Sequence, residues 1–244
     1  NETLSLPGNE LTQARSQLAA VVGGASYRPK GSRTYGYFAG GFAPPYVTTV
    51  DRIDFSNETT SEPGNELTQA RGQLAGVSGG ASYRISGSKT YGYIAGGLID
   101  TGPPAGDNVE FNTINRLDFS SETFSLPGNN LSQARDSLAA VSSSSYGYFG
   151  GGSFGGPTTG FVTRLDFSSE TFSLPGKNLS QARKALAATE SNSYGYFAGG
   201  QYSFATVDRL DFSNETTSAP GNTMPYGRGN LAAFSSNSYG YIGG

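Results

Sequence analysis

Residues 164–200, RLDFSSETFSLPGKNLSQARKALAATESNSYGYFAGG, make one full pass of a pattern that fills the chain. Pro-Gly recurs at Pro7, Pro63, Pro127, Pro175 and Pro220, and Tyr-Gly-Tyr at Tyr35, Tyr91, Tyr146, Tyr194 and Tyr239. Arg-x-Asp-Phe begins at Arg52, Arg116, Arg164 and Arg209. Self-similarity at about 45–60 residues marks an architecture of stacked units, none of which buries its apolar face alone.

The intervals separate scaffold from elaboration. Each Arg of Arg-x-Asp-Phe stands 11 residues before the next Pro (52 to 63, 116 to 127, 164 to 175, 209 to 220). From Pro to Tyr-Gly-Tyr the distance is 28, 28, 19, 19 and 19, so two copies carry a nine-residue insertion. From Tyr to the following Arg it is 17, 25, 18 and 15, different in every copy. Fixed intervals predict packed hairpins, and variable ones predict surface loops that lengthen without disturbing a core.

Within one unit the residues predict four short strands. Residues 185–189 (ALAAT) are small and apolar, as suits strands that crowd near an axis. Residues 194–198 (YGYFA) end at Gly199-Gly200, where a strand stops. In residues 206–212 (TVDRLDF), Val207, Arg209 and Asp211 alternate with Asp208, Leu210 and Phe212. A Ser-Asn-Glu turn then leads into residues 216–219, which stop at Pro220-Gly221. No amphipathic helix competes, and the fold class is all-β.

A strand ending in Gly-Gly, then Arg-Leu-Asp-aromatic-Ser, then an Arg opening the next first strand resembles the kelch repeat. Gly-Gly at Gly40, Gly96, Gly151, Gly199 and Gly243 extends the likeness over almost the whole chain. Phe55, Phe119, Phe167 and Phe212 stand where that family usually has Tyr. Its Trp is replaced by Leu4, Thr60, Phe124, Phe172 and Thr217. The resemblance implies a β-propeller with one repeat per blade, about five blades here. The phrasing TVDRLDFSNET…SYGYFAGG also resembles kelch-like repeat proteins of marine bacteriophages, cyanophages among them.

Residues 1–244 read as a single domain, a fragment of a longer chain being the alternative. The Arg-x-Asp-Phe strand appears four times, the other strands five. Propellers hide their edges by pairing strands from both termini in one blade. Residues 3–6 and 239–243 are therefore expected in one closing blade that lacks its third strand.

Composition limits the chemistry. With no His and no Cys, imidazole or thiolate metal sites and Ser-His-Asp or Cys-His catalysis are excluded. A net charge of −3, with 14% charged residues, argues against nucleic-acid binding. No apolar run of membrane-spanning length occurs, so membrane insertion is not expected. Paired carboxylates could in principle hydrolyse a glycoside. However, Asp54, Asp118, Asp166 and Asp211, like Glu2, Glu58, Glu122, Glu170 and Glu215, recur with the repeat. A residue made in every blade reads as scaffold, so no enzyme activity, catalytic residue or cofactor is expected. Asp100, Asp107 and Glu110 share one loop but lack calcium-loop spacing, and no metal is expected.

Arg15, Arg71, Arg135, Arg183 and Arg228 start the first strands, while Arg52, Arg116, Arg164 and Arg209 sit one residue from Asp-Phe. A planar guanidinium bonds a carboxylate and backbone carbonyls together, so these arginines are expected to tie strands, with a repeated Asp as partner. An anion-binding ring on the axis is the functional alternative.

Function is expected where copies differ. The loops between second and third strands supply Phe42, Tyr46, Asp107, Phe111, Phe154, Phe161, Tyr202 and Phe204 among small residues. Rigid rings beside adaptable Gly, Ser and Pro resemble a paratope. The plainer reading is that each ring covers its own blade. The insertions ASYRPKGSR and ASYRISGSK, with Arg28, Lys30, Arg33, Arg84 and Lys89, form a basic patch expected on the opposite face. The expected function is a non-enzymatic structural or adhesion module of a virion or cell surface. Its expected partners are a host-surface glycan or a neighbouring virion protein, with a homo-oligomer as a further option. An intracellular kelch-type protein-binding adaptor is the alternative, and a propeller glycosidase a third.

Overall fold

The computed structural model describes residues 10–23, 35–79, 90–100, 108–235 and 239–244, and these contain strands and no helix. The first blade is β1 (Ala19–Gly23), β2 (Tyr35–Ala39), β3 (Val50–Asp54) and β4 (Thr59–Ser61). The second is β5 (Ala75–Gly79), β6 (Tyr91–Ala95), β9 (Ile114–Asp118) and β10 (Thr123–Ser125). Its longer loop adds a hairpin, β7 (Leu98–Asp100) and β8 (Asn108–Glu110). The third blade is β11 (Ala139–Ser142), β12 (Tyr146–Gly150), β13 (Val162–Asp166) and β14 (Phe172–Ser173). The fourth is β15 (Ala187–Glu190), β16 (Tyr194–Ala198), β17 (Val207–Asp211) and β18 (Thr217–Ser218). A two-stranded sheet, β19 (Ala232–Ser235) and β20 (Gly240–Gly243), begins a fifth.

This is the propeller-like all-β arrangement expected, with four four-stranded blades and two strands of a fifth among the described residues. Every blade is an antiparallel meander in one register: Tyr35, Tyr91, Tyr146 and Tyr194 face Asp54, Asp118, Asp166 and Asp211. The inner strands β1, β5, β11, β15 and β19 pack in that order and together line one axial cavity of about 320 Å³. Ala20, Gly76, Ala140, Ala188 and Ala233 line it, which explains the small residues of the first strands. No comparable packing joins β19 back to β1. Accordingly Phe234 is 66% exposed, whereas Val21, Val77 and Val141 at the equivalent position are at most 5% exposed. Residues 3–6 of the expected closing blade lie outside the described residues.

The core lies between blades. One cluster joins Val21 and Tyr37 of the first blade to Ile94, Leu117 and Phe119 of the second, and the next two junctions repeat it. Contact between blades also explains Gly-Gly. A Cβ on Gly40, Gly96, Gly151 or Gly199 would lie 2.5–2.6 Å from the carbonyl oxygen of Arg71, Arg135, Arg183 or Arg228. The second glycine of each pair donates its N–H to that same carbonyl at 2.9–3.0 Å. All eight glycines sit at positive φ, where a side chain would be strained.

Candidate functional site

The loops joining second to third strands and the linkers leading into the next first strands meet at one end of the propeller. They are bonded directly, as in Gly41 N–H to the Arg71 carbonyl and Arg228 N–H to the Phe204 carbonyl. Beneath them lie the repeated arginines. Arg183 donates to Asp208 Oδ2 at 2.5 Å, to the Phe197 carbonyl at 3.1 Å and to the Thr206 carbonyl at 2.9 Å. Arg15 likewise meets Asp51 at 2.7 Å and the Phe38 carbonyl at 2.8 Å. A carboxylate partner in every copy was expected, and here the structure differs. The position after the third strand's first residue holds Asp51, Asn115, Thr163 and Asp208 in turn. Arg71 therefore donates to Asn115 Oδ1 at 2.7 Å, and Arg135 to Thr163 Oγ1 at 2.8 Å with the Gly151 and Phe161 carbonyls. Burial without a carboxylate pulls both guanidiniums down to about 10, still protonated at neutral pH.

The Asp of Arg-x-Asp-Phe has another task. Asp166 accepts from Ser168 N–H at 2.8 Å and Ser168 Oγ at 2.6 Å, and Asp54, Asp118 and Asp211 repeat this turn. These bonds hold the Asp166 carboxyl below its ordinary value. The arginine of that motif reaches instead to the following blade. Arg52, Arg116 and Arg164 each pair in two bonds, at 2.7–3.0 Å, with Glu122, Glu170 and Glu215. The hydroxyls of Tyr37, Tyr93 and Tyr148 donate to the same glutamates at 2.8–2.9 Å. Burial first, then the adjacent carboxylate, pushes all three tyrosines well above the usual phenol range. The repeated carboxylates are thus clamps and turn acceptors.

The rings proposed from sequence divide in two. Phe42, Phe154, Phe161 and Tyr202 are 38%, 46%, 41% and 77% exposed. Phe154 tips a small hairpin closed by its own N–H to the Pro157 carbonyl, and Glu110 braces it by accepting from Gly155 N–H at 2.9–3.0 Å. Tyr202 and Ser203 sit at φ 66° and 62°, an uncommon backbone for a large side chain that gains little burial in return. Tyr46, Phe111 and Phe204 are half-buried. Tyr46 lies across the next linker, where a Cβ on Gly72 would be 2.8 Å from its ring, and its own ring sits 5.0 Å from Phe42. Phe111 lies 5.7 Å from the Arg71 guanidinium. Tyr46 and Phe111 therefore also pack against the linker that leads into the second blade. Asp107 and both basic insertions lie outside the described residues.

Sequence reasoning missed Tyr226, which is 78% exposed on the same end. It stands where the other linkers have Gln13, Gln69, Gln133 and Gln181, and that break in the repeat is the signal that finds it. Neighbouring Gly227 replaces an Ala because a Cβ there would fall 1.7 Å from the Ser203 carbonyl oxygen. The 201–206 loop and this linker are therefore fitted to each other. Glu190 was missed as well. Lining the axial cavity, it accepts from Ser142 N–H at 3.1 Å and Ser142 Oγ at 3.3 Å.

Compared with protein-family models and with curated protein sequences, the chain matches none. Among the described residues no helix is long and apolar enough to cross a membrane.

Proposed function

We propose that the chain is a non-enzymatic recognition and structural module of a virion or cell surface. It presents the loop end of its propeller to a glycan or a neighbouring protein. One observation carries this reading. Four blades repeat their turns and register and three junctions repeat one Arg–Tyr–Glu clamp, yet the loops at one end differ in each copy and hold exposed rings. Flat aromatic surfaces beside small polar residues suit sugar faces and protein side chains alike. The resemblance to kelch repeats and to repeat proteins of marine bacteriophages supports the same reading, since many subunits on a particle gain avidity from weak single sites.

The test is the triple variant Phe42→Ala, Phe154→Ala, Tyr202→Ala. Because these rings are exposed, its Tm is expected to stay within about 2 °C of the parent, surface substitutions costing little. Binding on a glycan array or to candidate host cells should be lost. A folded triple variant that binds as the parent does would move recognition away from this end.

A further inference from the structure

The linker into β19 departs from the repeat at two adjoining positions. Where the other linkers read Gln-Ala-Arg, at 13–15, 69–71, 133–135 and 181–183, this one reads Tyr226-Gly227-Arg228. The 201–206 loop of the fourth blade departs with it. Tyr202 and Ser203 both take a left-handed backbone, at φ 66° and 62°, where the third blade's loop uses Gly155 and Gly156. A side chain in that conformation is strained, and the fourth blade keeps two in succession.

These changes fit together. The Ser203 carbonyl oxygen lies 1.7 Å from where a Cβ on Gly227 would be, so only glycine lets the loop close on the linker. Arg228 N–H to the Phe204 carbonyl, at 3.3 Å, and Met224 N–H to the Ala205 carbonyl, at 2.9 Å, fasten the two segments on either side. Tyr202 and Tyr226 flank that contact, with Cα atoms at most about 13 Å apart by covalent geometry, so both rings reach one ligand. Tyr202 is 77% and Tyr226 78% exposed. Exposure belongs to the position, since Gln69 and Gln181, the equivalents of Tyr226 in blades whose own loop follows, are exposed too. The surroundings are uncharged. No charged residue falls between 199 and 207 or between 216 and 227, and those segments supply amides and hydroxyls instead, from Gln201, Ser203, Asn222 and Thr223. The Gln201 side-chain oxygen is buried with no hydrogen-bond partner among the described residues.

We propose that Tyr202 and Tyr226 form a two-ring subsite for a neutral sugar, a hexose unit of an uncharged glycan. The proposal rests on the recognition reading above and names the ligand class and the residues that take it. A hexose has an apolar C–H face that lies against a ring and hydroxyls that bond amides, whereas an acidic sugar calls for a cation that these two segments lack. Tyrosine supplies the flat surface with only two side-chain torsions to freeze. The left-handed backbone at Tyr202 holds its ring off the scaffold before any ligand arrives, which lowers the cost of ordering it on binding.

The full chain is applied to a printed array carrying lactose, maltotriose and mannotriose, with sialyllactose and a sulfated disaccharide as acidic controls. Binding to a neutral member is expected. Tyr202→Ala and Tyr226→Ala should each weaken it about tenfold, the share of one stacked ring, with Tm unchanged. The double variant Phe42→Ala, Phe154→Ala should weaken it less than either. Gly227→Ala, which drives the loop off the linker, should weaken it with both rings still present. Binding that ignores both tyrosine variants and is lost in the Phe42→Ala, Phe154→Ala double variant overturns this subsite and leaves the recognition reading standing. Binding that ignores all of these variants overturns both. Capture by the acidic controls alone, or by no member of the array while host cells are still bound, overturns the neutral-sugar assignment only.

Discussion

Glu170→Gln tests whether the clamps between blades hold the propeller together. Glu170 accepts two bonds from Arg116 Nη1, at 2.8 and 3.0 Å, and one from Tyr93 Oη at 2.9 Å. It does so from a backbone at φ 54°, a conformation that costs a non-glycine residue about 1 kcal/mol. The repeat puts Glu at this position in every turn, so its side chain must return more than that. Glutamine keeps the shape but forfeits the charge. Bonds to charged groups contribute about 1.5–3 kcal/mol, and the pair's 21–29% exposure moves the figure toward the lower end. A loss of about 1.5 kcal/mol lowers Tm by about 3–6 °C in a chain of this size. Urea titration of Glu170→Gln, Arg116→Gln and the double variant should give a coupling of about 1 kcal/mol. Glu170→Gly, which relieves the backbone, should be about 1 kcal/mol more stable than Glu170→Ala. Additive single variants, or a Glu170→Gly no better than Glu170→Ala, would refute the clamp.

Two further outcomes follow from the same contacts. Gly195→Ala places a Cβ 2.5 Å from Val141 Cγ2 of the preceding blade. It should cost about 1–3 kcal/mol by urea unfolding, and adding Val141→Ala should recover part of that loss. Asp136 is 3% exposed, and burial raises its carboxyl above the ordinary value, with Ser137 and Lys184 opposing and Glu110 adding to the rise. The fold thus holds that proton more tightly than the unfolded chain. This favours folding below the ordinary carboxyl range and is lost as pH rises through the folded value. Asp136→Asn should raise Tm at pH 7, the gain vanishing near pH 3, and a gain independent of pH would disprove burial as the cause.

Recurrence made the blade legible in the sequence. Because Tyr194, Leu210 and Gly199 meet the same neighbours as their counterparts in every copy, one unit predicts all. The second strand at Tyr194–Ala198 and the alternation around Leu210 came out as read. Spacing also marked the loop end correctly as the place where copies differ. Partners across a junction were not legible. Arg116 and Glu170 are 54 residues apart, and only the packing of blade on blade turns each motif Arg toward the next blade's Glu. Exposure of single rings was likewise a tertiary matter. Phe42 and Tyr46 share one short loop, yet only the position of the next linker decides that Tyr46 lies flat while Phe42 stays open.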